Sequence, residues 1–199
     1  MKIHDVQQGT EEWHQLRLGR FTASDAQAIA TNGKGLETLV FEKVAETITG
    51  KTKEPYTNTD MERGKELEEM ARNSYELETG IIVKKIGFVE VSEHIGCSPD
   101  GTIEADGMQE IKCPNDANYA KYLFSEKVDP AHYWQMQMQM HCMDRKWCDY
   151  VVFNPNFTGK TITIVRVNRN EEDLKKLIEG LNKGVELKNQ ILKKIGTTL

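Results

Sequence analysis

Between Cys97 and Pro114 the chain reads Cys-Ser-Pro-Asp-Gly-Thr-Ile-Glu-Ala-Asp-Gly-Met-Gln-Glu-Ile-Lys-Cys-Pro, a run dense in carboxylates around a single lysine. A three-residue hairpin loop at Ala105-Asp106-Gly107, with Gly107 left-handed, sets Glu104 opposite Met108 and Asp100 opposite Lys112. Side chains two apart on a strand share a face, so Glu110 joins Asp100 and Lys112, while Ile111 points the other way into a core. Two carboxylates on one face can hold Mg²⁺, which takes hard oxygen ligands, and the Ile111 carbonyl can complete the shell. Such a metal acidifies water and stabilises charge at a phosphate, and Lys112 can orient or help deprotonate that water. The plainer alternative is a surface hairpin with ordinary alternating charges. The Ser-Pro-Asp-Gly turn and the Cys-Pro step favour the site, because both fix the strand ends that would hold it.

Glu68 supplies a third carboxylate. At 100° per residue, Met61, Gly64, Ala71 and Tyr75 fall within about 60° of it on one helix, whereas Glu66 and Glu69 point to solvent. An inward carboxylate needs a partner. A metal or its water would serve, and so would a salt bridge to Arg72 one turn on. Further upstream, Trp13-His-Gln-Leu-Arg17-Leu-Gly-Arg20-Phe-Thr-Ala-Ser24 places two arginines and two hydroxyls around Gly19. Ser24 is expected to cap the following helix, whose N-terminus could take a phosphate. Arg17 could clamp that phosphate through two hydrogen bonds. An N-cap beside a solvated arginine is the structural alternative.

These residues need elements to position them. Short helices are expected over 11–18 and 23–30, and a longer one from Leu36 to Ile48 that stops at Gly50. A polar, Pro-containing loop over 51–59 leads to Asp60, read as the N-cap of a helix running to about Glu78. Ile- and Val-rich residues 81–113 read as strands. A helix follows from Asn115 to about Glu126, and another opens at Asp129-Pro130 and runs to about Met143. The alternating Gln135-Met-Gln137-Met-Gln139-Met run has a strand's period, but its Asp-Pro start and composition favour helix. Residues 149–154 and 160–167 read as a strand pair. Leu174, Leu177, Ile178, Leu181 and Val185 mark a C-terminal amphipathic helix over about 170–195, with Gly180 and Gly184 as interruptions. The order predicts an α+β fold, a mixed sheet flanked by helices.

The 199 residues suit one domain. At 38% hydrophobic the chain is polar but can still bury a core. No apolar run approaches a membrane span, and Met1–Asp5 lacks a signal peptide's apolar region, so a cytoplasmic protein is expected. A net charge of −5 runs against the basic balance usual in DNA binders, so any DNA-binding surface must be local. Cys97, Cys113, Cys142 and Cys148 form no C-x-x-C pair, and small buried hydrophobes explain them better than a zinc or iron–sulfur site.

Taken together, these segments resemble the lambda-type exonucleases, or YqaJ-like viral recombinases, of the PD-(D/E)XK nuclease superfamily. The resemblance runs from Trp13 to about Pro155. Its motifs follow family order: Trp-His-x-Leu-Arg-Leu-Gly with Thr-Ala-Ser, Gly64-Lys-Glu-Leu-Glu68, Ser98-Pro-Asp100-Gly, Glu110-Ile-Lys112-Cys-Pro, Gln135-x-Gln137 and Asp149-Tyr-Val-Val-Phe. It implies a single nuclease domain over 1–199 with the restriction-endonuclease-like core, a central mixed sheet between helices. It further implies that Asp100, Glu110 and the Ile111 carbonyl bind metal and that Glu68 supports the metal and its waters. Lys112 would be the catalytic lysine, and Gln135 the glutamine near the attacking water, with Gln137 as the competing candidate. Arg17, Ser24 and Ser98 would form the 5′-phosphate pocket. The implied cofactor is Mg²⁺, as two ions, with Mn²⁺ as a substitute. The implied activity is 5′-to-3′ digestion of one strand of duplex DNA to mononucleotides. The remaining 3′ strand would pass to a single-strand annealing protein in phage-type recombination, inside a bacterial host cell. A ring-shaped homotrimer on double-stranded DNA ends is implied by the resemblance alone. One departure stands out: after Pro114 the family prototype has a basic residue, whereas Asn115-Asp-Ala-Asn118 has none, which leaves the strength of 5′-phosphate selection open. The competing functions are another nuclease of the superfamily, RecB- or Cas4-like, and a non-catalytic DNA-end-binding scaffold.

Overall fold

The Ile- and Val-rich middle of the chain does fold as strands, and they divide between two mixed four-stranded sheets. In the computed structural model, which describes residues 1–52 and 59–196, the first sheet contains β1 (Lys2–His4), β2 (Phe21–Thr22), β3 (Phe88–Glu90) and β4 (Ile95–Cys97), in the order β1-β3-β4-β2. The second contains β5 (Gly101–Ile103), β6 (Gly107–Lys112), β7 (Trp147–Phe153) and β8 (Ile162–Asn168), in that order. β6 and β7 run parallel, and β5 and β8 flank them antiparallel. The chain passes from one sheet to the other through Ser98, Pro99 and Asp100. Residues 81–87, also expected as strand, contribute only an isolated bridge from Lys84 to Thr102. β1 and β2 were not legible, since two or three residues carry no detectable period.

The hairpin between β5 and β6 differs from the expected one. Ile103 pairs with Gly107, so the loop is Glu104-Ala105-Asp106, and Glu104 rather than Gly107 is left-handed, at φ 46°. Gly107 serves packing instead: a Cβ there would lie 2.3 Å from the Trp147 indole. The register is thereby displaced by two residues, which brings Asp100 level with Glu110 instead of Lys112. An even displacement keeps every side chain on its face, so the carboxylates still share one side.

The helices are α1 (Glu11–Arg17), α2 (Ala26–Thr31), α3 (Lys34–Thr49), α4 (Thr59–Thr79), α5 (Asp116–Ser125), α6 (Pro130–Met143) and α7 (Glu171–Lys194). Asn115, Asp129 and Asn170 cap the last three through their side chains, and Gly50, at φ 64°, ends α3. Asp60 lies inside α4, which begins one residue earlier. Residues 53–58, most of the expected polar loop, fall outside the described residues, as does the side chain of Met61. The segment expected as one helix over 23–30 splits into a 3-10 turn, Ala23–Asp25, and α2. The cause is Asp25, whose Oδ2 accepts from the Thr22 backbone N–H at 2.9 Å and from the Thr22 hydroxyl at 3.0 Å. Ser24 therefore caps nothing.

The second sheet is covered on both faces. α4 packs Ala71 and Tyr75 against Ile111, Val151 and Phe153. On the other side Met108, Cys148, Tyr150 and Val152 meet α6 within the larger core. Met136 to Met140 of α6 are buried without exception. A helical stretch enclosed all round owes nothing to amphipathic period, which is why its Gln-Met alternation carries no strand meaning. α7 lies against α2 and α3, burying Leu174, Leu177, Leu181 and Leu192, each worth about 1.5–3 kcal/mol. Gly180 permits the approach: a Cβ there would stand 2.0 Å from the Ile29 carbonyl oxygen. No helix among the described residues is long and apolar enough to cross a membrane.

Candidate functional site

β6 carries Glu110 and Lys112 on the face toward α6, and α6 reaches down to meet them. Glu110 is buried, at 1% exposure. Its Oε1 accepts from Lys112 Nζ at 2.6 Å and from Gln135 Nε2 at 2.7 Å, and its Oε2 accepts from Gln139 Nε2 at 2.8 Å. Lys112 Nζ also lies 3.4 Å from Gln135 Oε1. Gln135, not Gln137, therefore faces the site. Gln137 faces the opposite way and ties α6 to α7, donating to the Asn168 carbonyl at 2.9 Å and accepting from the Asn170 N–H at 2.9 Å. Gln139 was missed in the sequence; its signal is the four-residue spacing from Gln135, one helical turn.

Asp100 comes in from the switch between the sheets. Beyond Gly101 the β5–β6 ladder ends, and Asp100 Oδ2 accepts from the Ile111 N–H at 2.6 Å. Glu68 enters from α4. The salt bridge weighed as its alternative partner forms: Arg72 Nη2 donates to Glu68 Oε1 at 2.6 Å and to the Asp100 carbonyl at 3.2 Å. Arg72 is buried, while the Glu68 side chain is 38% exposed, so Glu68 lies at the site's mouth rather than in the core. Glu66 and Glu69 are exposed, as expected. The four residues come from two elements, α4 and β6, and the turn between the sheets.

The electrostatics show an excess of negative charge. Burial, then Glu110, then Glu68 push the Asp100 carboxyl well above the usual carboxylate range, and Lys112 and the Ile111 N–H offset this only in part. Burial would lower Lys112, but Glu110 and Asp100 outweigh it and hold the ammonium above its ordinary value. Burial, Glu68 and Asp100 push the neighbouring Cys113 thiol up to about 12. Among the described residues no three His, Cys, Asp or Glu side chains form a ready-made metal cage, and the carboxylates accept hydrogen bonds from Arg72, Lys112, the two glutamines and the Ile111 N–H. The donor set still fits a hard divalent cation. It offers oxygens only, and like charges crowd a partly buried space that a dication would relieve. All four cysteines are free, and burial of Cys97, Cys142 and Cys148 matches their reading as small hydrophobes.

Arg17, Ser24 and Ser98 are also gathered into one place. Arg17 Nη2 donates to Thr22 Oγ1 and Ser24 Oγ, both at 3.2 Å, and its guanidinium stacks on Trp13 at 4.3 Å. Trp13 Nε1 in turn donates to Ser98 Oγ at 2.8 Å, two residues from Asp100. Burial lowers Arg17, with Asp25 and Glu46 opposing. The loop that presents it is pinned by residues the sequence did not flag. The buried Lys188 of α7 donates to the Gly19 carbonyl at 2.7 Å, and Glu46 Oε2 accepts from the Gly19 N–H at 2.9 Å.

A mixed sheet with a Glu-x-Lys pair on one strand and an aspartate at the start of its neighbour, backed by a helix glutamate, defines the PD-(D/E)XK nuclease fold. Residues 12–146 match the model of the YqaJ-like viral recombinase domain, and the chain belongs to that family. An alkaline exonuclease from Laribacter hongkongensis, LHK-Exo, superposes with a TM-score of 0.87 at 30% identity, over 94% of this chain and 96% of that one. LHK-Exo in complex with dAMP matches equally well. A phage-related exonuclease from Haemophilus somnus 129PT superposes with a TM-score of 0.68 at 18% identity, over 89% of this chain and 96% of that one, a likeness of fold. No curated protein sequence gives a significant match.

Proposed function

We propose that this chain is a Mg²⁺-dependent exonuclease, a single nuclease unit that digests one strand of duplex DNA from its 5′ end into mononucleotides. The observation that carries the reading is the meeting of Glu68, Asp100, Glu110 and Lys112 in one partly buried, over-acidic pocket. The kinship with LHK-Exo, which has been seen with a nucleoside monophosphate, supports it.

In this reading Asp100, Glu110 and the Ile111 carbonyl would hold Mg²⁺, with Mn²⁺ as a substitute and a second ion beside it, and Glu68 would act through water. When bound, the cation acidifies water and neutralises charge developing at the phosphate. Lys112 keeps its proton on Nζ, fixed by Glu110 and Gln135, and orients the attacking water. Gln135 holds Glu110 in place and offers its own oxygen to the same space. Gln139 fixes the far oxygen of Glu110. Water adds to phosphorus and the P–O3′ bond breaks. A 5′-mononucleotide with a free 3′ hydroxyl departs, and the shortened strand keeps a new 5′-phosphate. Arg17, Ser24 and Ser98 receive that phosphate and set the next bond one nucleotide away. The exposed 3′ strand would then serve a single-strand annealing protein, and a ring trimer enclosing the duplex would keep the enzyme on its track.

Asp100→Ala and Glu110→Ala should each abolish Mg²⁺-dependent hydrolysis while duplex binding persists, and EDTA should stop the wild type reversibly. Substantial Mg²⁺-dependent cleavage by either variant would overturn the assignment.

A further inference from the structure

Glu110 and Tyr150 are register partners on the parallel strands β6 and β7, so their side chains leave the same face of the sheet. α6 crosses that face and answers both. Gln135 meets Glu110 at 2.7 Å. His132, three residues earlier and so adjacent on the helix surface, meets the Tyr150 hydroxyl through Nδ1 at 2.8 Å. The two contacts are successive rungs between one helix and one sheet. The Gln135 rung borders Lys112. The His132 rung lies beside it, near enough for Lys112 and Glu110 both to act on the imidazole.

Tyr150 is buried, at 3% exposure, and its hydroxyl has no other hydrogen-bond partner among the described residues. A buried phenol needs an acceptor, and Nδ1 is the one present. This assigns the neutral tautomer with its proton on Nε2. Nε2 hydrogen-bonds to no described residue, and the half-buried ring stands in the first turn of α6. Burial and Lys112 disfavour the charged form, so the ring offers a neutral N–H donor. A histidine that merely filled space would not need a tyrosine to fix which nitrogen carries the proton.

We propose that His132, oriented by Tyr150, donates an Nε2–H hydrogen bond to a phosphate oxygen of the strand being cut, beside the scissile bond. It is a DNA-positioning contact, neither a metal ligand nor the base. The inference rests on the nuclease reading above.

Two substitutions separate this role from packing. His132→Asn can keep a polar contact to Tyr150 but has nothing at the Nε2 position. His132→Gln places an amide donor close to where Nε2 was. Binding of a 5′-phosphorylated linear duplex is measured by anisotropy in EDTA, alongside KM and kcat with Mg²⁺ and the thermal midpoint. His132→Asn should bind about tenfold more weakly, as expected for a lost hydrogen bond to a charged group. KM should rise by a similar factor, with kcat and thermal midpoint little changed. His132→Gln should recover most of the affinity. Wild-type affinity and KM in His132→Asn, in an enzyme that cuts DNA, would overturn the inference and leave the nuclease reading standing. Equal impairment of both variants would likewise overturn it, by showing packing alone. A wild type that neither binds nor cuts the duplex would overturn both.

Discussion

Gln139 Nε2 lies 2.8 Å from Glu110 Oε2, deep beneath the site and one helical turn below Gln135. Glu110 thus has both oxygens fixed by one helix. The other end of the Gln139 amide, Oε1, is buried and has no partner among the described residues. Gln139→Leu would remove a hydrogen bond to a charged group, worth about 1.5–3 kcal/mol, and also an unsatisfied acceptor costing about 1–3 kcal/mol. The effects oppose each other, so thermal stability should change by less than about 2 kcal/mol. Turnover should fall at least about tenfold, because Glu110 loses its fixed geometry. Calorimetry and duplex digestion on the same preparation check this; unchanged turnover would show that Gln139 does not position Glu110.

Glu68 and Arg72 allow stability and activity to be separated. Glu68→Ala leaves the Arg72 guanidinium buried with the Asp100 carbonyl as its one acceptor among the described residues. It should cost about 2–4 kcal/mol, tempered because Glu68 is itself partly exposed. Glu68→Gln keeps an acceptor and should cost less than about 1 kcal/mol. If the negative charge of Glu68 serves the metal, both variants should lose activity alike. Chemical denaturation paired with rates across Mg²⁺ concentrations tests it, and a fully active Glu68→Gln would reduce Glu68 to a structural partner of Arg72.

Cys113 reports on the charge of the pocket. Burial, Glu68 and Asp100 raise its thiol from 9.0 to about 12. Alkylation requires the thiolate, so labelling of native protein by iodoacetamide should keep rising about tenfold per pH unit through pH 10. An ordinary thiol would level off near its own pKa. The sign for stability follows from proton counting. Above pH 9 the folded state holds a proton that the unfolded state has released, so the Cys113 contribution is present below 9 and is lost as pH climbs toward 12. A labelling plateau near pH 9, read by mass spectrometry, would contradict the crowded-carboxylate picture.

Much of this site could be read from the sequence because it depends on face, not on register. Asp100, Glu110 and Lys112 alternate along strands, so a hairpin displaced by two residues left them together. Asp129, followed by Pro130, announced its helix by local cap chemistry, which needs no tertiary context. The rest depended on distant partners. The Tyr75 hydroxyl 2.7 Å from Asp149, Lys188 on the Gly19 carbonyl and the Arg72 bridge to Asp100 join segments whose separation in sequence gives no signal. Ser24 was misread as a cap because Asp25, next door, takes the Thr22 N–H instead.

Arg17 should control end preference. It is stacked on Trp13 and bonded to Ser24, a fixed geometry that, on the proposed function, would receive a phosphate. Duplexes with 5′-phosphate should be digested faster than those with 5′-hydroxyl ends, and Arg17→Ala should shrink that ratio while leaving the Mg²⁺ dependence unchanged. The absence of a basic residue over Asn115–Asn118 limits the expected preference to about tenfold, the scale of one charge-assisted contact. Equal rates on both ends in the wild type, or an unchanged ratio in Arg17→Ala, would remove Arg17 from the pocket.

The most direct test of the central claim follows each strand end through time. Linear duplex labelled at either the 5′ or the 3′ terminus is digested with Mg²⁺ and, in parallel, with EDTA. The account predicts that the 5′ label appears at once as mononucleotide, that the 3′ label stays in long strands until late, and that EDTA yields no product. Early release of the 3′ label, internal fragments, or digestion in EDTA would contradict it.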